Sequence, residues 1–304
     1  MPGSPTFVQQ RRLALFEEQR PRLMGIAYRV LGAVSDADDV LREVGLRWSR
    51  VSLAEVEDAE ALLTRMVTRL SLDRLRRERA LREVHAGSWL PEPVACQPWT
   101  ADGATTTELV ESLSLPMLAA MEALSPLERA AFVLRVVFED SYAQVATALD
   151  RNEAAVRQLV HRAHVHLGEA MGGRDADRTR HDDVMRRFVT AWRAARLTPL
   201  LEVLAADVVV VSDGGGLTRE AQPVVGRDRA ARFLVSVLRR LPRGAVVAAE
   251  EFNGTTGVVV RVVDEPVIAV AVLADGDRVG SVQLVATPRK LLALRAPSAR
   301  TALI

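Results

Sequence analysis

Two helix starts and one tight turn, crowded into residues 125–166, constrain this chain more than any other feature of its sequence. Ser125-Pro126-Leu127-Glu128 supplies a capping serine, a proline at the first helical position and a glutamate that can reach back to the cap, the reciprocal arrangement that satisfies orphan N–H groups at a helix start. Ser141 and Gln144 repeat the device and open a short helix to Leu149. Asp150-Arg151-Asn152 then makes a tight turn, and a longer helix runs from Glu153 to about His166. Short helix, three-residue turn and longer helix form helix-turn-helix grammar. The second helix would span ~20 Å, enough to lie in a DNA major groove. Along it Arg157, Gln158, His161 and Arg162 make one exposed strip of side chains able to bond bases and phosphates, and Asn152 stands at its entrance. A helical hairpin with an ordinary solvated face would share the same pattern.

Composition narrows the class further. At 304 residues, 49% of them hydrophobic, the chain can build two or three units with real cores. One cysteine excludes a disulfide scaffold or a Cys-rich zinc module and points to a reducing compartment. No apolar run approaches the ~18 residues of a membrane helix, and Arg11-Arg12 leads too soon into Glu17-Glu18 for a secretory signal. The reading is a soluble, cytoplasmic protein that contacts no membrane. Net charge is only +1, with no basic tail, so nucleic-acid binding would have to come from local placement of arginine. Such a cluster exists: Arg65, Arg69, Arg74, Arg76, Arg77, Arg79 and Arg82, against only Asp73 and Glu78. It could bind phosphate or be a salt-bridged, solvated face.

Residues 7–87 read as helices. Leu13, Phe16, Leu23, Ile26, Ala27, Val30 and Leu31 recur near helical spacing and Gly32 closes the run. Ser35 is expected to cap a second helix, Asp36–Arg50, with acids in its first turn. A third, about Ala59–Glu83, would bury Leu62, Leu63, Met66, Val67, Leu70 and Leu75 and expose Arg65, Arg69, Asp73 and Arg76 on the opposite side. Residues 88–106 change character, with three prolines, two tryptophans and no base. Trp89-Leu90-Pro91-Glu92-Pro93 is too hydrophobic for a loose tether, so Trp89 and Trp99 are expected to dock on something.

From residue 181 the pattern turns to mixed α and β. Helices are expected at Asp182–Arg196 and Arg227–Arg240. Strands are expected at Val208–Val211, Ala245–Phe252, Val258–Val263, Val267–Ala274 and Val279–Ala286. Asn253-Gly254 and Asp275-Gly276 read as hairpin turns, and a curved antiparallel sheet with helices on one side fits. Asp213-Gly214-Gly215-Gly216 lacks the Gly-Lys-Ser/Thr of a phosphate loop and reads as a strand exit or a close-approach surface. His161, His164 and His166 do not converge on one helical face, so no metal is expected. Beyond residue 166 the lone histidine is His181, and Asp207, Asp213 and Asp264 have no catalytic companions, so neither an enzyme nor a cofactor is expected.

These residues resemble a known family. Phe16-Glu-Glu-Gln-Arg-Pro-Arg-Leu23, Ala27-Tyr-Arg-Val-Leu-Gly32, Asp36-Ala-Asp-Asp39 and Thr68-Arg-Leu-Ser-Leu-Asp-Arg-Leu-Arg76 resemble region two of extracytoplasmic-function sigma factors. Leu124-Ser-Pro-Leu-Glu-Arg-Ala-Ala-Phe132, Ser141-Tyr-Ala-Gln-Val-Ala146 and Val156-Arg-Gln-Leu-Val-His-Arg-Ala163 resemble region four. The Trp-Leu-Pro-Glu-Pro linker, the Gly-rich turn and the carboxy-terminal α+β segment resemble the group with a fused SnoaL-like cone domain. The resemblance implies a multidomain chain: two all-α domains, a helical bundle at 1–87 and a helix-turn-helix at 107–171, then an α+β SnoaL-like cone at 181–304, with linkers at 88–106 and 172–180.

It also implies a role for each part. Region two would bind the β′ clamp of RNA polymerase core through Asp36, Asp38, Asp39, Arg42 and Glu43, and read the −10 element through Arg69, Asp73, Arg76 and Arg77. Region four would meet the β flap and read the −35 element through Asn152, Arg157, Gln158, His161 and Arg162. The cone would regulate in cis, through Trp89, Leu90, Pro91, Glu92, Pro93, Asp213, Gly214, Gly215, Gly216, Pro288, Lys290 and Leu291, with no separate anti-sigma factor required. Four departures from the family pattern stand out: Arg42 where Gln is usual, Leu217 closing the Gly-rich motif where Lys is usual, Thr287-Pro-Arg-Lys-Leu291 for Asn-Pro-Asp-Lys-Leu, and His164 and His166 where arginines are common. The alternative is a ligand-sensing helix-turn-helix regulator that acts without polymerase.

Overall fold

Gly32, with φ of 78°, ends α1 (Phe7–Leu31) and turns the chain within one extended residue, Ala33, into α2 (Val34–Trp48). This computed structural model describes residues 7–82, 89–95, 113–171, 178–214 and 222–295. The chain divides into two compact units: the described residues 7–82 and 120–170 form one, and 89–95, 113–119 and those from 171 onward form the other. The expected Ser35 cap is not used. The glycine turn lets the helix start at once, so Ser35 sits exposed inside its first turn.

In the first unit α1 and α2 pack with α3 (Ala59–Arg82). Leu23, Ile26, Ala27, Val30 and Leu31 are sealed from solvent, as are Leu63, Val67 and Leu75 of α3. Leu13 departs from the expected stripe and is 60% exposed, because burial on α1 begins only at Phe16. The helix-turn-helix segment belongs to the same unit. Both capping boxes form, Ser125 with Glu128 at the start of α5 (Pro126–Phe132) and Ser141 with Gln144 at the start of α6 (Tyr142–Leu149). A π-helical stretch, Val133–Val137, follows α5, and Asp150 closes α6 in the left-handed region at φ 56°. The next helix, α7 (Glu153–Met171), runs beyond the expected end at His166 because Leu167 is still a buried position.

Arginines join the two helical segments. Arg22 of α1 reaches Asp140 at 2.6 Å, and Arg79 of α3 donates to the Leu124 carbonyl at 2.7 Å. Arg129, fully buried, donates to the Arg29 carbonyl at 2.9 Å and pairs with Glu122. Arg29 is itself buried, and desolvation brings its pKa down to about 10 against the opposing pull of Tyr28.

The second unit is a sheet with both faces covered. Its strands are β1 (Leu204–Ser212), β2 (Val224–Val225), β3 (Val246–Phe252), β4 (Thr255–Val262), β5 (Glu265–Asp275) and β6 (Arg278–Val285), in the order β2-β1-β6-β5-β4-β3. The sheet is antiparallel as expected except at β1–β6, which is parallel. A parallel neighbour needs a long crossover, and everything from β2 to β5 supplies it. Period-two alternation divides the strands: Val258, Val260 and Val270 face a core with α8 (Arg178–Arg193), α9 (Leu197–Val203) and α10 (Arg227–Arg239), where Phe188 stacks on Trp192. Val259, Ala269 and Ala271 face a second core with Leu90, Ala95, Leu115, Phe252, Leu291 and Leu294, Leu115 belonging to α4 (Leu115–Ala120).

The hairpins differ in detail from expectation. Asn253-Gly254, at φ 50° and 67°, is the expected turn between Phe252 and Thr255. The second expected turn shifts by one residue to Gly276-Asp277, because Asp275 pairs with Arg278. A third, Val263-Asp264, was not foreseen; it sets a β-branched residue at φ 51° with its side chain 89% exposed.

Candidate nucleic-acid interface and linker anchor

The α7 strip forms as its spacing requires. Val156, Leu159, Val160, Ala163 and Leu167 are buried, which turns Arg157, Gln158, His161 and Arg162 outward. Two of the expected contacts carry structural duties as well. The Asn152 Oδ1 accepts from the Ala155 N–H at 2.8 Å and caps α7. The Arg162 Nε donates to Glu128 at 2.8 Å, so this guanidinium braces the capping box of α5. His166 lies 3.4 Å from the same carboxylate, while His164 meets Phe132 edge-on. His164 and His166 therefore take separate neighbours, and His161 is exposed.

Glu128 is the electrostatic centre of this corner. Burial pushes its pKa up, but the Ser125 backbone N–H and side chain, Arg162 and His166 together outweigh that and hold it at about 2. A depressed carboxyl stabilises the fold fully above its unfolded pKa of ~4.3 and loses that contribution as pH falls through the folded value. The Glu128→Gln variant is expected to lose up to about 3 kcal/mol at pH 7 and to converge on the wild-type chain near pH 2. Urea titrations of both chains across that range check it, and a difference constant with pH contradicts it.

On α3, Arg65, Arg69, Asp73, Arg76 and Arg77 are all exposed, as expected. Asp73 pairs with Arg76 at 3.2 Å and accepts the Arg77 Nε on its carbonyl, while Arg65 stands 4.0 Å from Asp150 at the end of α6. Arg74 behaves differently from its neighbours. It is turned in to Asp36, to Asp39 at 3.2 Å and to Glu78 at 3.1 Å, joining α3 to the first turn of α2. Burial opposes its charge, and Asp36 and Glu78 more than restore it, so its pKa is raised. On α2 the remaining expected contacts face outward: Arg42 pairs with Asp39, and Glu43 with Arg47 at 2.9 Å. Burial raises the Asp38 carboxyl against the pull of Arg42 and Arg20. Leu46, 62% exposed on the same helix, had not been singled out, although an apolar side chain between Glu43 and Arg47 was the available signal.

The second unit brings most of the linker residues together. Leu90, Pro91 and Pro93 are buried, Trp89 and Glu92 half-buried. The Lys290 ammonium donates to the Leu90 carbonyl at 2.7 Å, lies 5.2 Å from the centre of the Trp89 ring and 3.6 Å from the Asp213 carboxylate. Asp213 in turn accepts from the Ala286 N–H at 2.9 Å and the Thr287 N–H at 3.3 Å. Pro288 opens the 3-10 helix Pro288–Leu294, which sets Leu291 in the core beside Leu90. Four residues beyond Leu90, the Val94 N–H donates to Asn253 Oδ1 and the Asn253 N–H to the Val94 carbonyl, both at 2.9 Å, and Ala95 bridges to Phe252. Gly214, two residues past β1, stands at φ 75°, whereas Gly215, Gly216, Leu217 and Trp99 lie outside the described residues. Among the described residues no group of three His, Cys, Asp or Glu is placed to hold a metal, and no helix is long and apolar enough to cross a membrane.

A helix-turn-helix with an arginine strip, joined to a helical bundle with its own basic face, defines the architecture of sigma-70 factors. Residues 15–81 match the family of sigma-70 region 2 and residues 114–167 that of sigma-70 region 4. The chain is 36% identical over 232 residues to the ECF RNA polymerase sigma factor SigJ of Mycobacterium tuberculosis, covering 75% of this chain and 74% of the relative. It is 27% identical over 286 residues to the probable ECF RNA polymerase sigma factor SigI of the same organism, covering 93% and 96%. The crystal structure of M. tuberculosis SigJ superposes with a TM-score of 0.71 at 30% identity over 92% of this chain and 98% of that one. This protein belongs to the ECF RNA polymerase sigma factors.

Proposed function

We propose that this chain directs RNA polymerase core to particular promoters and is held in check by its own carboxy-terminal unit. Membership of the sigma family supports the first part, and the outward α7 strip carries the promoter reading. In this reading α2 meets the polymerase clamp through Arg42 and Glu43, with Asp36, Asp38 and Asp39 shaping that face. The exposed side of α3 meets the −10 element, α7 meets the −35 element, and the polymerase performs the chemistry. This sigma factor is not an enzyme.

The regulatory half rests on the Lys290 anchor. Leu90, Val94 and Ala95 fix the linker to the carboxy-terminal unit, and in this reading that tether restrains the separation of the two DNA-reading segments. The packing of α3 with α6 in the first unit, together with the contacts of Arg22 on α1 with Asp140 and of Arg79 on α3 with Leu124, suits the same resting state, since −10 and −35 elements must be read apart. Release of the linker would permit opening without a separate anti-sigma partner.

Arg157→Ala tests the promoter assignment. Loss of one base contact is expected to weaken holoenzyme binding to a cognate promoter fragment by about 1–3 kcal/mol, with core binding unchanged. An equal loss of core binding would contradict the division of labour between α2 and α7.

A further inference from the structure

The ring of Tyr142, half-buried in the first turn of α6, has two guanidinium groups against it. The carbon of the Arg157 guanidinium lies 4.7 Å from the ring centroid and that of Arg135 lies 4.9 Å from it. Arg135 belongs to the π-helical stretch and donates to the Asp140 carbonyl at 3.2 Å, which fixes it against the scaffold. Arg157 is tied one turn back along α7 to Glu153 at 2.9 Å, yet its side chain is 55% exposed. An arginine on an open helix surface loses about 2 kcal/mol of rotamer freedom when a ligand fixes it. With an aromatic face beneath it and a carboxylate beside it, Arg157 has given up part of that freedom before DNA arrives, the usual basis of preorganised binding.

We propose that Tyr142 is a positioning residue for promoter recognition: its ring, held by Arg135, orients the Arg157 guanidinium toward the base edge it reads. The inference rests on the assignment of Arg157 to the −35 element. The attraction uses the ring face, and the hydroxyl has no part in it.

The experiment measures binding of reconstituted holoenzyme to a promoter fragment selected from a randomised −35 library and to the same fragment with that element scrambled. The ratio of the two affinities is the readout. Tyr142→Leu, similar in bulk but without a ring, is expected to lower the ratio about two- to fivefold, as a surface cation–π contact would. Tyr142→Phe is expected to keep it. In an Arg157→Ala background, Tyr142→Leu is expected to change nothing further. The proposal is overturned if Tyr142→Leu retains the wild-type ratio while Arg157→Ala loses it, or if Tyr142→Leu lowers the ratio equally with and without Arg157. Failure of Tyr142→Phe to retain the ratio would also overturn it, by giving the hydroxyl a contact of its own. A wild-type ratio in Arg157→Ala would remove the assignment of Arg157 itself, and this inference with it.

Discussion

Reversing Arg42 and Glu43 together, Arg42→Glu with Glu43→Arg, is expected to weaken capture of polymerase core at least tenfold while leaving the fold intact. Both side chains point outward from α2, and their partners, Asp39 and Arg47, lie one turn away on the same helix. Surface pairs of that kind contribute ~0.5 kcal/mol or less, so unfolding should barely shift. A complementary charge surface on the partner would instead meet two repulsions, each capable of several kcal/mol at a buried contact. Asp36 and Asp39 are poorer targets, because Arg74 uses both to join α3 to α2, and reversal there would confuse unfolding with lost binding. Core capture by purified protein, read beside thermal unfolding, checks the expectation. Unchanged capture would remove α2 as the clamp contact.

The second large effect is expected at the linker. Trp89→Ala removes the ring that lies against Lys290 and should cost about 2 kcal/mol, less than a fully buried tryptophan because this one keeps part of its surface in water. The consequence should be visible chemically. Lys290 is the only lysine in the sequence, and its side chain is 16% exposed. An amine-reactive reagent, with labelling of the Lys290 peptide followed by mass spectrometry, therefore reports release of the linker. Labelling in Trp89→Ala is expected to be several-fold faster, together with a change in promoter-dependent transcription. Equal labelling in both proteins would mean that Trp89 does not hold the anchor closed.

The sequence was informative where the deciding interactions are local. Both capping boxes, the left-handed turn at Asp150 and the outward strip of α7 follow from residues within one or two turns of each other. Ser35 is a strong capping residue by type, but the turn at Gly32 starts the helix one residue before it. The parallel β1–β6 pairing, the two-residue β2 and the seven-residue α9 have weak local signals or none, and packing decides them. Among the arginines, Arg74 belongs to the cluster that reads as a phosphate-binding or solvated face, and nothing in the pattern marks Arg129 for burial, since charged residues are rarely buried unless paired. Their partners, Asp36 and Glu122, lie on other helices that the pattern alone does not bring near. The linker's hydrophobicity announced that Trp89 would dock. The lysine that receives it is 200 residues from Leu90, a separation no periodicity can span.

The measurement that bears most directly on the whole account is transcription from a selected promoter by purified polymerase core supplied with this chain alone. The account requires full-length product that starts at one position, depends on both promoter elements, and falls with Arg157→Ala and with the Arg42–Glu43 reversal, the first through promoter binding and the second through core binding. Transcription no greater than that of core alone, with this chain still bound to promoter DNA, would contradict it and leave a DNA-binding regulator that acts without polymerase.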